Sequence, residues 1–68
     1  MITVHVNGRE VRVPPSMTVG HAILRYDEAT YRMLQDGLCY VTDEAGHEVD
    51  PEGALFEGMK LFVAEAAN

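Results

Sequence analysis

Three histidines, one cysteine and a group of carboxylates are the side chains in this sequence whose types could support chemistry. Three imidazoles suit a zinc or nickel ion, but His5, His21 and His47 show no HxH or HxxxH spacing that would hold two of them together. His5 falls on the outer face of an expected strand, His21 one turn into an expected helix and His47 just after a turn, so surface histidines without a metal are expected. Cys39 is the only cysteine, which excludes an internal disulfide and any cluster built from cysteine alone. In a short strand it reads as a small buried hydrophobe rather than a reactive thiol. Asp43, Glu44 and Glu48 surround a turn. Acid–base catalysis needs a pocket that separates two carboxylate pKa values and excludes water. One small sheet with one helix offers little concavity, so turn chemistry accounts for Asp43 and solvation for the two glutamates. No Ser/His/Asp order and no phosphate-cradling glycine loop occurs. No catalytic residue, metal or cofactor is expected.

The elements that position these residues follow from hydrophobic periodicity. Ile2, Val4 and Val6 alternate with Thr3 and His5, as in a strand with one buried face. Asn7-Gly8 then supplies the dipeptide that best tolerates a type I′ turn, and Val11 and Val13 alternate with Arg9, Glu10 and Arg12. The pattern predicts a β-hairpin. Pro14 and Pro15 end it, and Thr18 is the favoured cap of a helix whose stripe is Val19, Ala22, Ile23 and Tyr26. Residues 27–37 read either as a second helix, capped by Asp27 and ended at Gly37, or as a strand entering a turn at Asp36-Gly37; the helix is preferred. Strands are expected at Leu38–Thr42, at His47–Val49 after the turn D-E-A-G, and at Met59–Val63 after a break at Glu57-Gly58. If the first and last strands are central neighbours, they run parallel and the helix packs across one face of a mixed sheet.

Sixty-eight residues leave room for a single domain, residues 1–68, which at this size buries only about 60% of the surface its unfolded chain exposes. Eleven acidic against five basic side chains give a net charge of −6, and no basic cluster is present to neutralise phosphates, so nucleic acid is not an expected partner. No apolar run approaches the ~20 residues of a membrane span, and the start, MITVHVNGRE, has no basic region followed by an apolar one. A cytoplasmic protein that does not engage membranes is expected.

The run ITVHVNGREVRVPPSMTVGHAI resembles the opening of small ubiquitin-like β-grasp proteins, and ALFEGMKLFV is similar to their closing pattern of a Leu, a tight turn with Gly and an apolar strand. The resemblance covers residues 2–63 and implies an α+β fold of the β-grasp type: a hairpin, a helix, then short strands in a mixed sheet. Within that fold the chain is most similar in length and N-terminal pattern to the sulfur carriers of thiamine and molybdopterin biosynthesis. Those end in a flexible Gly-Gly whose carboxylate is adenylated and converted to a thiocarboxylate. This chain reads AEAAN, with no Gly after Gly58, and a tail carrying Cβ atoms throughout cannot thread where diglycine does. The chain also looks like the plant-type iron–sulfur domains in its opening, but such a cluster requires four thiolates and Cys39 stands alone.

A third resemblance, to ubiquitin-like domains that only bind, implies a non-catalytic module docking on a larger protein through its open sheet face. A sulfur carrier activated at its C-terminus is the alternative. If Met59, Leu61 and Val63 face the helix, Lys60 and Phe62 face outward beside Thr3 and His5, and one of Tyr40 and Val41 joins them. Phe62, Lys60, His5 and Tyr40 are therefore the expected partner-binding residues. The competing expectation for Phe62 is cover by the residues that follow it, or solitary exposure. A homodimer formed through an edge strand remains open.

Overall fold

The computed structural model of the chain describes residues 1–66. Its elements are β1 (Ile2–Val6), β2 (Arg9–Val13), α1 (Val19–Tyr26), α2 (Glu28–Gln35), β3 (Cys39–Thr42), β4 (Glu48–Val49) and β5 (Lys60–Glu65). The five strands form one mixed sheet in the order β2-β1-β5-β3-β4, an α+β architecture. Among the described residues no helix is long and apolar enough to cross a membrane.

The hairpin forms as its turn dipeptide dictates. Asn7 (φ 52) and Gly8 (φ 83) both occupy the left-handed region, which a type I′ turn requires, and β1 and β2 pair antiparallel from Val6↔Arg9 to Ile2↔Val13. Asn7 also acts beyond the turn. Its N–H donates to the Leu61 carbonyl (2.9 Å), its Oδ1 accepts from the Val63 N–H (3.0 Å), and its Nδ2 donates to the Tyr26 hydroxyl (3.2 Å). One side chain thus ties the hairpin to β5 and to the end of α1.

The stripe of α1 packs as its spacing predicts: Val19, Ala22 and Ile23 are fully buried against the inner face, where Val4, Val6, Val13, Val41 and Leu61 sit. Thr18 occupies the N-cap position without capping through its side chain. Its hydroxyl lies 3.0 Å from His21 Nδ1 instead. The first helical N–H groups find other acceptors, Val19 donating to the Gly53 carbonyl (3.0 Å) and Gly20 to that of Pro51 (2.8 Å). A turn more than thirty residues downstream therefore does the work expected of Thr18.

Residues 28–35 are helical. Asp27 receives the last turn of α1 by donating to the Ile23 carbonyl and caps α2 by accepting from the Thr30 N–H (3.0 Å) and hydroxyl (2.7 Å). These bonds hold the Asp27 carboxyl below its ordinary range. A Schellman-type end follows, with Leu38 N–H donating to Met33 and Gly37 N–H to Leu34.

Four strand boundaries differ from the periodicity. β3 begins at Cys39, β4 at Glu48 and β5 at Lys60, each one residue later than expected, and β5 runs to Glu65 rather than Val63. The extension has a partner: Cys39↔Glu65 and Tyr40↔Ala64 continue the antiparallel ladder with β3, and Ala66 N–H donates to the Leu38 carbonyl (3.0 Å). Before β5 starts, the 56–59 turn already grips β1, with Gly58 N–H on the Thr3 carbonyl (2.7 Å) and the Glu57 carboxylate accepting from the Thr3 N–H (3.2 Å). Gly58 sits at φ +81, where a Cβ would be strained.

Two substitutions test these junctions. Asn7→Ala is expected to destabilise the chain by about 1–3 kcal/mol in urea unfolding, since it strains the turn and orphans the Val63 N–H. Asn7→Gly, which keeps the turn and loses only the amide, should cost less. A carboxyl whose pKa is lowered on folding contributes stability above its unfolded pKa of about 3.9, and loses it as pH falls through the folded value. The Tm gap between wild type and Asp27→Ala should therefore be full at pH ~6 and shrink at pH ~2.

Candidate functional site

The open face of the sheet carries the side chains that alternation turns away from the helices: Thr3 and His5 from β1, Glu10 and Arg12 from β2, Lys60, Phe62 and Ala64 from β5, Tyr40 and Thr42 from β3. Their positions follow from register. His5 stands opposite Lys60 and Glu10, Phe62 opposite Thr42, and Tyr40 opposite Ala64, which makes Tyr40 the diagonal neighbour of Phe62.

Three of the four expected residues come together. His5, Lys60 and Phe62, with Gly8 and Leu61, line a depression of about 330 Å³. Tyr40 lies outside it, on β3. Of the pair left open by the sequence, Tyr40 takes the outward position, 36% exposed, while Val41 is in the core at 1%. Phe62 is 40% exposed, so the described residues after it do not cover it. Ala64 and Glu65 continue the strand instead. The tail end on which the carrier alternative depends, residues 67–68, lies outside the described residues.

Lys60 Nζ is 3.5 Å from Glu44 Oε1, both well exposed, a pairing of small energetic value. His5 is half-buried rather than fully at the surface, and its Nδ1 is enclosed without a hydrogen-bond partner. It is the one such side-chain atom found among the described residues, and unsatisfied buried polar atoms are uncommon enough to mark a place of interest. Alternation could assign His5 to the outer face, but the cover that makes it half-buried comes from neighbours the sequence does not place.

His21 and His47 are exposed on other elements. Among the described residues no group of three His, Cys, Asp or Glu side chains gathers as a metal would need. Cys39 is 5% exposed with Sγ 3.8 Å from the Thr30 carbonyl, and burial pushes its thiol pKa up. The Asp43 carboxylate accepts from the N–H groups of Ala45 (2.9 Å) and His47 (3.0 Å), which is turn chemistry.

The expectation of little concavity is corrected. A groove of about 590 Å³ separates the β3–β4 turn and β4 from residues 56–60, with Phe56, Val49 and Met59 among its apolar lining and Asp43, Glu44 and Glu48 among its acidic lining. Phe56 is 62% exposed. The sequence offered no sign of this, because Phe56 lies in an irregular segment where neither period applies. The carboxylates of the groove are turned to separate tasks: Asp43 to its turn, Glu44 to Lys60, Glu48 to the open face opposite Thr42.

No family model matches the chain, and neither a curated protein nor a solved structure matches it.

The Cys39 environment predicts slow chemistry. A thiol whose pKa burial raises stays neutral at pH 8, and the thiolate is the reactive form. Labelling by a disulfide reagent at pH 8 should be at least about tenfold slower for the folded chain than in denaturant.

Proposed function

We propose that this chain is a non-catalytic, ubiquitin-like β-grasp module that docks on a larger protein through its open sheet face. The fold part of the reading is supported by the strand order, with β1 and β5 parallel at the centre of the sheet and α1 packed across its inner face. One observation carries the function: Phe62 stands 40% exposed in the middle of an open sheet face, with Tyr40 36% exposed as its diagonal neighbour. Aromatic side chains held on a rigid strand are efficient anchors, because they bring large contact area at little entropic cost.

The surrounding chemistry suits a protein surface. Lys60 beside Phe62 offers a cation at the rim of the aromatic patch, and the depression beside Phe62 gives a partner side chain somewhere to enter. The segment up to Ala66 is held by main-chain bonds to β3 and Leu38. A sheet face held in this way fits docking better than activation of a free arm.

The test uses the tagged chain in its native cell. The wild type should recover a larger protein in defined stoichiometry, and Phe62→Ala should weaken that recovery at least about tenfold, as truncation of an anchor does, with an unchanged melting curve. Recovery that is indifferent to Phe62→Ala, or a large fall in Tm showing that Phe62 supports the core, defeats the reading.

A further inference from the structure

We infer that two copies of this chain associate through β2, edge to edge and antiparallel about Val11, so that Glu10 of each copy faces Arg12 of the other. The inference goes beyond docking on a larger protein and does not depend on it.

The first observation is a free edge. β2 is an outermost strand of the sheet. His5 and Asn7 direct their N–H groups toward β5, to the carbonyls of Met59 and Leu61. In an antiparallel ladder the residue opposite His5 then points its own main chain away from β1. That residue is Glu10, and by the same alternation Arg12, opposite Thr3, does likewise. Neither makes a turn, loop or cap bond to another backbone group of the described residues. Two N–H and two C=O groups are therefore presented along this edge, the template that invites another strand.

The second observation is charge. Glu10 and Arg12 are both exposed on the open face, and neither has an ion-pair partner among the described residues. Their signs are opposite and their spacing is two, which makes the edge complementary to itself under a two-fold rotation. Centred on Val11, the pairing sets Glu10 against Arg12 twice, and both are hydrogen-bonded positions, so four main-chain bonds form with the two ion pairs. Centred on Glu10, it sets Glu10 against Glu10. Centred on Arg12, it sets Arg12 against Arg12 and Glu10 against Pro14, which has no N–H. A shift by one residue would place valines opposite charges and turn one inner face outward. Only one register satisfies both the hydrogen bonds and the charges.

The contact is small, and each chain carries −6, so long-range repulsion opposes it. The dimer belongs to the weak class. Ionic strength of ~0.15 M screens the distant charges while leaving pairs in contact.

Sedimentation equilibrium from about 10 µM to 1 mM in that salt should show a monomer–dimer equilibrium for the wild type. Glu10→Arg and Arg12→Glu each place like charges opposite one another twice and should raise the dissociation constant about tenfold or more. The double exchange E10R/R12E restores both pairs and should restore the dimer. Circular dichroism checks that each variant is folded. Independently of any variant, the Glu10 and Arg12 amides of the wild type should exchange with solvent more slowly at high than at low concentration. A wild type that stays monomeric at about 1 mM, single variants that dimerise like wild type, a folded double variant that stays monomeric, or amide exchange that ignores concentration overturns the inference.

Discussion

The structure depends on the parallel pairing of β1 with β5. These two strands come from opposite ends of the sequence and lie at the centre of the sheet, so every other element is arranged around their contact. The pairing is short in strand register, His5↔Lys60 and Val6↔Leu61, and it is lengthened at both ends by groups that are not strand. Glu57 and Gly58 hold Thr3 on one side, and the Asn7 side chain holds Val63 on the other. Parallel pairs are slightly less stable per residue than antiparallel ones. In this chain each end of the parallel pair is fastened by a residue with a special task.

From that constraint the two faces acquire different characters. The inner face is composed almost wholly of valines with Leu61, and Ile23 of α1 packs against it, branched side chains that fill a thin core with little freedom to lose. Among the described residues the outer face has no second layer. It carries an aromatic pair, a lysine, a half-buried histidine and, toward β2, an exposed Glu and Arg. The carboxylates near the groove hold a turn, a lysine or a place at the solvent surface. The side chains of the outer face stand on strands whose register fixes their separation.

Much of this was legible in the sequence wherever the cause is local. Asn7-Gly8 specifies its turn by backbone sterics, the stripe from Val19 to Tyr26 specifies its helix by period, and Asp27 specifies the start of α2 by the bond it offers to Thr30. Alternation also assigned Phe62 and Lys60 to the outer face. What the sequence did not reveal arises from segments that meet only after folding. Thr18 loses its capping task because the carbonyls of Pro51 and Gly53 already accept from the Gly20 and Val19 N–H groups. β5 extends to Glu65 because β3 offers a ladder there. The groove beside Phe56 exists because β4 is short and the chain that follows it is irregular, and His5 is partly covered by neighbours from other elements.

The gap in sequence between β1 and β5 also bears on how the protein is made. His5 precedes its partner Lys60 by fifty-five positions, and a ribosome working at about 5–20 residues per second needs roughly 3–10 s to cross that interval. During that time the first hairpin exists with neither its central neighbour nor a closed core, and an isolated hairpin is marginal in water. Its valines and its inner edge stay available to any other strand in the cell until the stretch around Lys60 emerges. Synthesis therefore passes through a window in which aggregation and folding compete, and the arrival of β5 closes it.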